Sequence, residues 1–186
     1  MSREYCQQCT RPRSECYCAA VVACESPIKV LIIQHPQEVQ HPYNTGRMVH
    51  QCLTNSELVI AEILDNAVLD RLLQTNSTLL FPNMSWLSPI ATETKTVEQL
   101  VVIDATWNKA KKILHLNPAL QQLPRLALTG YPRSTYEVRK SSLPESLSTI
   151  ESVVYGLESL LPDTSYQAML QPFKQMVALA KRYQPD

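Results

Sequence analysis

The sequence predicts an α/β fold with a mainly parallel sheet and helices on both faces. A small N-terminal segment suited to zinc, residues 1–25, precedes the main domain of residues 26–186. Three observations carry this. Short apolar runs alternate with stretches of helical period along most of the chain. The first run, residues 28–34, is β-branched and almost uninterrupted, as in a strand covered on both sides. Ahead of it, four of the six cysteines fall within thirteen residues as C-x2-C-x6-C-x-C.

Taken in order, the cysteine segment has Arg11-Pro12-Arg13 between its two pairs. The strand at 28–34 ends at His35-Pro36-Gln37-Glu38. A helix over 45–53 follows, with Asn44 as its N-cap. Residues 57–64 read as a second strand, 66–74 as a helix and 78–81 as a third strand stopped by Pro82. A polar loop with Trp86 runs over 83–96. Residues 100–103 form a fourth strand running into Asp104, 107–115 a helix and 125–128 a fifth strand. Ser148-Thr149-Ile150-Glu151 has the capping-box pattern S-x-x-E and opens a helix with Ile150, Val153, Val154, Leu157, Leu160 and Leu161 on one face. In the last helix, carrying Tyr166 to Ala180, Pro172 is expected to kink or divide the element.

Composition narrows the chemistry. The chain has 186 residues, 45% of them apolar, and its 3 glycines stand far apart, so neither a G-x-G-x-x-G turn nor a P-loop is present. No apolar run reaches membrane-spanning length, and the N-terminus lacks the apolar core of a signal peptide. A cytoplasmic protein is expected. Net charge is zero, yet residues 104–140 carry a net +5 and residues 54–103 a net −4. A basic stretch of this kind suits a polyanion, although short segments also fluctuate this much.

In a reducing compartment the thiols of Cys6, Cys9, Cys16 and Cys18 suit one tetrahedral Zn2+ better than disulfides, with an iron–sulfur cluster or redox dithiols as alternatives. Cys24 and Cys52 read as small apolar residues. Ligands of parallel sheets bind beyond the carboxyl ends of strands, and three polar clusters sit there, at residues 35–38, 82–85 and 104–107. Asp104-Ala105-Thr106-Trp107 is either a helix cap packed by an aromatic or an acidic group beside a ligand walled by Trp107. Asn44-Thr45-Gly46-Arg47 suits an anion or a close backbone approach at a helix start. The stretch from Tyr131 to Lys140 mixes arginines and tyrosines, as phosphate and base contacts require. The histidines show no metal-ligand spacing, and no G-x-S-x-G elbow is present.

The order and spacing of these motifs resemble the DTW-domain family over nearly the whole chain. The motifs are the four cysteines with Arg11-Pro12 between them, His35-Pro36-x-Glu38, Asn44-Thr45-Gly46-Arg47, Asp104-x-Thr106-Trp107, Tyr136-x-x-Arg139-Lys140 and Leu147-Ser148-Thr149-x-Glu151. Ala105 departs from the glycine frequent at its place. The resemblance implies S-adenosyl-L-methionine (SAM) as donor of a 3-amino-3-carboxypropyl group to N3 of a tRNA uridine, in the variable loop for bacterial members. It implies a knotted SPOUT-like fold and a monomer that partners tRNA and no membrane. Asp104 would be the general base, with Thr106 beside it and Trp107 bordering adenine or uracil. Arg139 would face the methionine carboxylate or a phosphate. Pro82, Ser148, Thr149 and Glu151 would line the SAM site, although Glu151 has its capping duty as an equal alternative. Arg11, Arg13, Arg47, Arg133, Tyr136 and Lys140 would meet RNA, and Cys6, Cys9, Cys16 and Cys18 would hold zinc. Rival readings are a SPOUT-like RNA methyltransferase, a zinc-stabilised RNA-binding module without catalysis, and transfer to ribosomal RNA.

Overall fold

The computed structural model describes residues 4–87, 96–132, 134 and 147–182. Among these residues five strands form one parallel sheet: β1 (Lys29–Gln34), β2 (Ser56–Ile60), β3 (Ser77–Leu80), β4 (Gln99–Asp104) and β5 (Arg125–Leu126), in the order β2-β1-β4-β3-β5. Among the described residues six α-helices accompany them: α1 (Thr45–Cys52), α2 (Asn66–Gln74), α3 (Trp107–Leu116), α4 (Pro118–Gln121), α5 (Thr149–Leu160) and α6 (Leu170–Lys181).

Between their polar first and last residues the central strands β1 and β4 are apolar throughout, because both faces are covered. Val30 and Ile32 of β1 and Leu100 and Val102 of β4 join Val49 of α1, Val153 of α5 and Phe173 of α6 in one core. Leu31, Ile33 and Val101 point the other way, onto Leu72 of α2, Ile113 of α3 and Leu120 of α4. Cys9 and Tyr17 of the N-terminal segment belong to the first core, so that segment packs on the α1/α5/α6 layer. Among the described residues no helix is long and apolar enough to cross a membrane.

Sequence expectations hold for β1, α1, α2, β3, β4, α3 and the α5 capping box, to within a residue or two. Three differ. The second strand ends at Ile60 rather than 64, and residues 61–64 lead as a connection to Asp65, which accepts the Val68 N–H at 2.8 Å and starts α2. Strand β5 keeps only two of four expected residues. Pro172 does not kink a long helix. A 3-10 turn over Gln167–Met169 comes first, and Pro172 sits in the first turn of α6, where its missing N–H has no partner to lose. The short α4, with Pro118 at its first position, was not anticipated.

Candidate active site

In-register pairing sets Gln34, the last residue of β1, beside Asp104, the last of β4. By alternation both side chains face the α1/α5 layer. There the strand pattern changes from apolar to polar without leaving the interior: Gln34 is 1% and Asp104 7% exposed.

Asp104 is met from three elements. Gln34 Nε2 donates to Asp104 Oδ2 at 2.7 Å. From α5, Thr149 Oγ1 donates to Asp104 Oδ1 at 2.6 Å. From α1, Gly46 lies so close that a Cβ there would sit 2.8 Å from Asp104 Cβ and nearer still to the carboxylate. The expectation of a close backbone approach at Gly46 is met, and the approaching group is Asp104. The two helix starts are tied to each other, since Thr149 N–H donates to Thr45 Oγ1 at 3.2 Å.

Helix starts need side-chain acceptors because their first N–H groups have no partner within the helix. Asn44 Oδ1 accepts the Arg47 N–H at 2.8 Å and caps α1. Ser148 and Glu151 form the expected capping box on α5. Ser148 N–H donates to Glu151 Oε2 at 2.8 Å, and Ser134 Oγ donates to the same oxygen at 2.6 Å. Thr106, by contrast, sits at the N-cap of α3 and makes no side-chain capping bond.

Trp107 goes the other way. It opens α3, packs against the opposite core and meets Phe81 edge to face at 5.7 Å. Phe81 also meets Trp86, and the Lys111 ammonium lies 5.3 Å from the Trp86 ring centre. Pro82, half-buried, follows Phe81. Asp104 and Trp107 therefore flank the end of β4 on different layers. Below them, His35 Nδ1 accepts the Gln37 N–H at 3.1 Å, which leaves Nε2 to face the Glu62 carboxylate. Glu38, 4% exposed, meets Lys109 Nζ at 2.8 Å.

The four cysteine Sγ atoms lie within 4.8 Å of one another, with Cys6–Cys18 and Cys9–Cys16 at 3.7 Å. A tetrahedron with metal–sulfur arms of about 2.3 Å has edges of about 3.8 Å, so this donor set fits one metal ion. The backbone N–H of Cys9, then that of Gln8, draws the Cys6 thiol down to about 6, whereas burial pushes Cys9 and Cys18 up.

The expected RNA contacts divide. Arg11 is corrected: it is 1% exposed, and it donates to Pro42 O at 2.7 Å, Glu15 O at 3.0 Å and Glu15 Oε2 at 2.7 Å, with Tyr43 beneath its guanidinium. No phosphate can reach it. Arg47 is likewise spent internally, donating to Cys9 O at 3.1 Å, to Thr10 Oγ1 and to Val39 O, which straps the cysteine segment to α1. Arg13 is 74% exposed, beside Glu4. Arg133, Tyr136, Arg139 and Lys140 lie outside the described residues. Sequence reasoning passed over Gln34. Its signal was a single polar residue closing an apolar strand, the pattern Asp104 repeats on β4.

Residues 3–181 match the DTW domain. Among curated proteins, the chain is 29% identical over 168 residues to tRNA-uridine aminocarboxypropyltransferase 2 of Drosophila melanogaster, covering 85% of this chain and 67% of that protein. It is 25% identical over 190 residues to the protein of the same name in Macaca fascicularis, covering 92% of this chain and 62% of that one. It is 26% identical over 223 residues to tRNA-uridine aminocarboxypropyltransferase A of Arabidopsis thaliana, covering 97% and 82%. The chain thus spans about two thirds of the length of the first two relatives. No solved structure matches it at the same stringency. With a match from residue 3 to residue 181 of 186, the chain belongs to the DTW domain family.

Proposed function

We propose that the protein transfers the 3-amino-3-carboxypropyl group of SAM to N3 of a uridine in tRNA. The observation that carries this is the match along nearly the whole chain to the DTW domain, together with relatives named tRNA-uridine aminocarboxypropyltransferases.

Three carbons of SAM are activated by its sulfonium, so presentation decides the product. The uridine N3 attacks the γ-carbon of the methionine arm. The N3–Cγ bond forms as the Cγ–S bond breaks, the electron pair stays on sulfur, and methylthioadenosine leaves. The N3 proton must go to a base, and Asp104, at the carboxyl end of β4, would be that base. Ser148, Thr149 and Glu151 at the start of α5, Pro82 after β3 and Arg139 would hold SAM. Thr106 and Trp107 would border the reacting base or adenine. Arg13, Arg133, Tyr136 and Lys140 would meet the RNA. Cys6, Cys9, Cys16 and Cys18 would bind zinc, which supplies a structural cross-link in residues 1–25. The fold would be SPOUT-like and knotted, and the protein a monomer in the cytoplasm.

The test is to incubate the protein with tRNA and SAM and weigh the nucleosides. An aminocarboxypropyl adduct on uridine is expected. Methyluridine would overturn the presentation of SAM, and tRNA binding without SAM binding in calorimetry would leave only an RNA-binding module. Asp104→Asn should lower turnover by about 10²-fold or more.

A further inference from the structure

We propose that Gln34 is a positioning residue for Asp104, and that the cap of α1 decides which way its side-chain amide faces. The inference rests on the reading of Asp104 as the group that acts on the substrate.

Oxygen and nitrogen of a side-chain amide are told apart by their partners. Here the partners form a chain that starts at the backbone. The Arg47 N–H, which can only donate, lies 2.8 Å from Asn44 Oδ1. The Glu38 carbonyl, which can only accept, lies 2.9 Å from Asn44 Nδ2. These two fix the Asn44 amide. Asn44 Oδ1 then accepts from Gln34 at 3.0 Å, so the Gln34 atom facing it is Nε2. The same Nε2 has its second hydrogen for Asp104 Oδ2, at 2.7 Å. Asp104 therefore meets a donor from β1 at one oxygen and the Thr149 hydroxyl at the other.

Gln34 and Thr149 both donate to this carboxylate, one to each oxygen. The two donors, coming from different elements, β1 and α5, also hold the carboxylate in one orientation. Gly46 completes the placement by leaving room where any side chain would displace the group. Gln34 is buried at 1% exposure, so it acts through Asp104 and not on the substrate.

The experiment uses the full chain carrying isotope-labelled aspartate. With only five aspartates, the Asp104 carboxylate resonance is identified by its loss in Asp104→Asn. In Gln34→Leu at constant pH that resonance should move. Turnover should fall at least about tenfold while KM for SAM and tRNA stays within about twofold, the split expected of a group that acts in the transition state. Asn44→Ser keeps an acceptor at the cap of α1 but frees the Gln34 amide. It should move the resonance and lower turnover in the same direction, and it carries the test if Gln34→Leu does not fold. A resonance unmoved in both variants overturns the inference. So does unchanged turnover in Gln34→Leu when Asp104→Asn is inactive. If the unaltered protein modifies no tRNA, the functional reading fails and the resonance alone decides the role of Gln34.

Discussion

At the amino end of the sheet, Lys29 and Arg71 meet Glu57 at 2.6 and 2.9 Å, with all three side chains between 28 and 55% exposed. At the carboxyl end of the same β1, Gln34, Asn44 and Asp104 are between 1 and 7% exposed, and each bonds to another. Both ends are polar, but only one excludes water. Exposed ion pairs are screened and each adds little, whereas a buried network stands or falls on complete pairing. The protein thus places its tightly paired polar network where strands end under two helix starts, and leaves the other end a solvated rim.

The sharpest way to break that contrast is Gly46→Ala. The new methyl group would displace the Asp104 carboxylate, so turnover should fall by about 10²-fold, the scale of an ångström-sized misplacement. Stability should fall by roughly 1–3 kcal/mol from overpacking, read from denaturant unfolding. A normal rate with a normal midpoint would mean that α1 does not confine Asp104.

Metal removal comes next. Chelation should free the thiols of Cys6, Cys9, Cys16 and Cys18 and loosen the segment whose Cys9 carbonyl and Thr10 hydroxyl anchor Arg47. The thermal midpoint should drop by roughly 5 °C or more and recover with added zinc. Protease sensitivity should appear in the cysteine segment first.

Arg11 and Arg13 separate strut from contact. Arg11→Met should cost about 1–2 kcal/mol, because Pro42 O and the Glu15 carboxylate lose a charged donor, and should leave the salt dependence of tRNA binding as it was. Arg13→Gln should leave stability unchanged and reduce the salt slope of tRNA binding by about one unit.

The smallest effect belongs to the amino end. Lys29 first, then Arg71, holds the Glu57 carboxyl below its ordinary range. Its contribution is therefore complete above the ordinary carboxylate range and fades as the pH falls through the lowered value. Glu57→Gln should cost no more than about 1 kcal/mol at about pH 7, and nothing at about pH 2. A cost that persists in acid would mean packing, not charge, holds that rim.

Local signals made much of this legible. Unbroken β-branched runs identified β1 and β4, Asn44 and Ser148 announced the starts of α1 and α5, and C-x2-C-x6-C-x-C marked the metal-fitting cluster. Each depends on neighbours within a few residues, so composition and spacing suffice. The errors came where distant segments compete. Arg11 reads as a surface cation until Pro42 and Tyr43 close over it.

By itself the sequence determined the element types, the all-buried character of the central strands and the set of polar residues at their carboxyl ends. Only the tertiary structure decided which of those residues meet. Register places Gln34 beside Asp104 across 70 residues, and α5 brings Thr149 to the same carboxylate from 45 residues away. The physical reason is that hydrogen bonds act over about 3 Å, and a one-dimensional pattern holds no information on which chain ends folding brings that close.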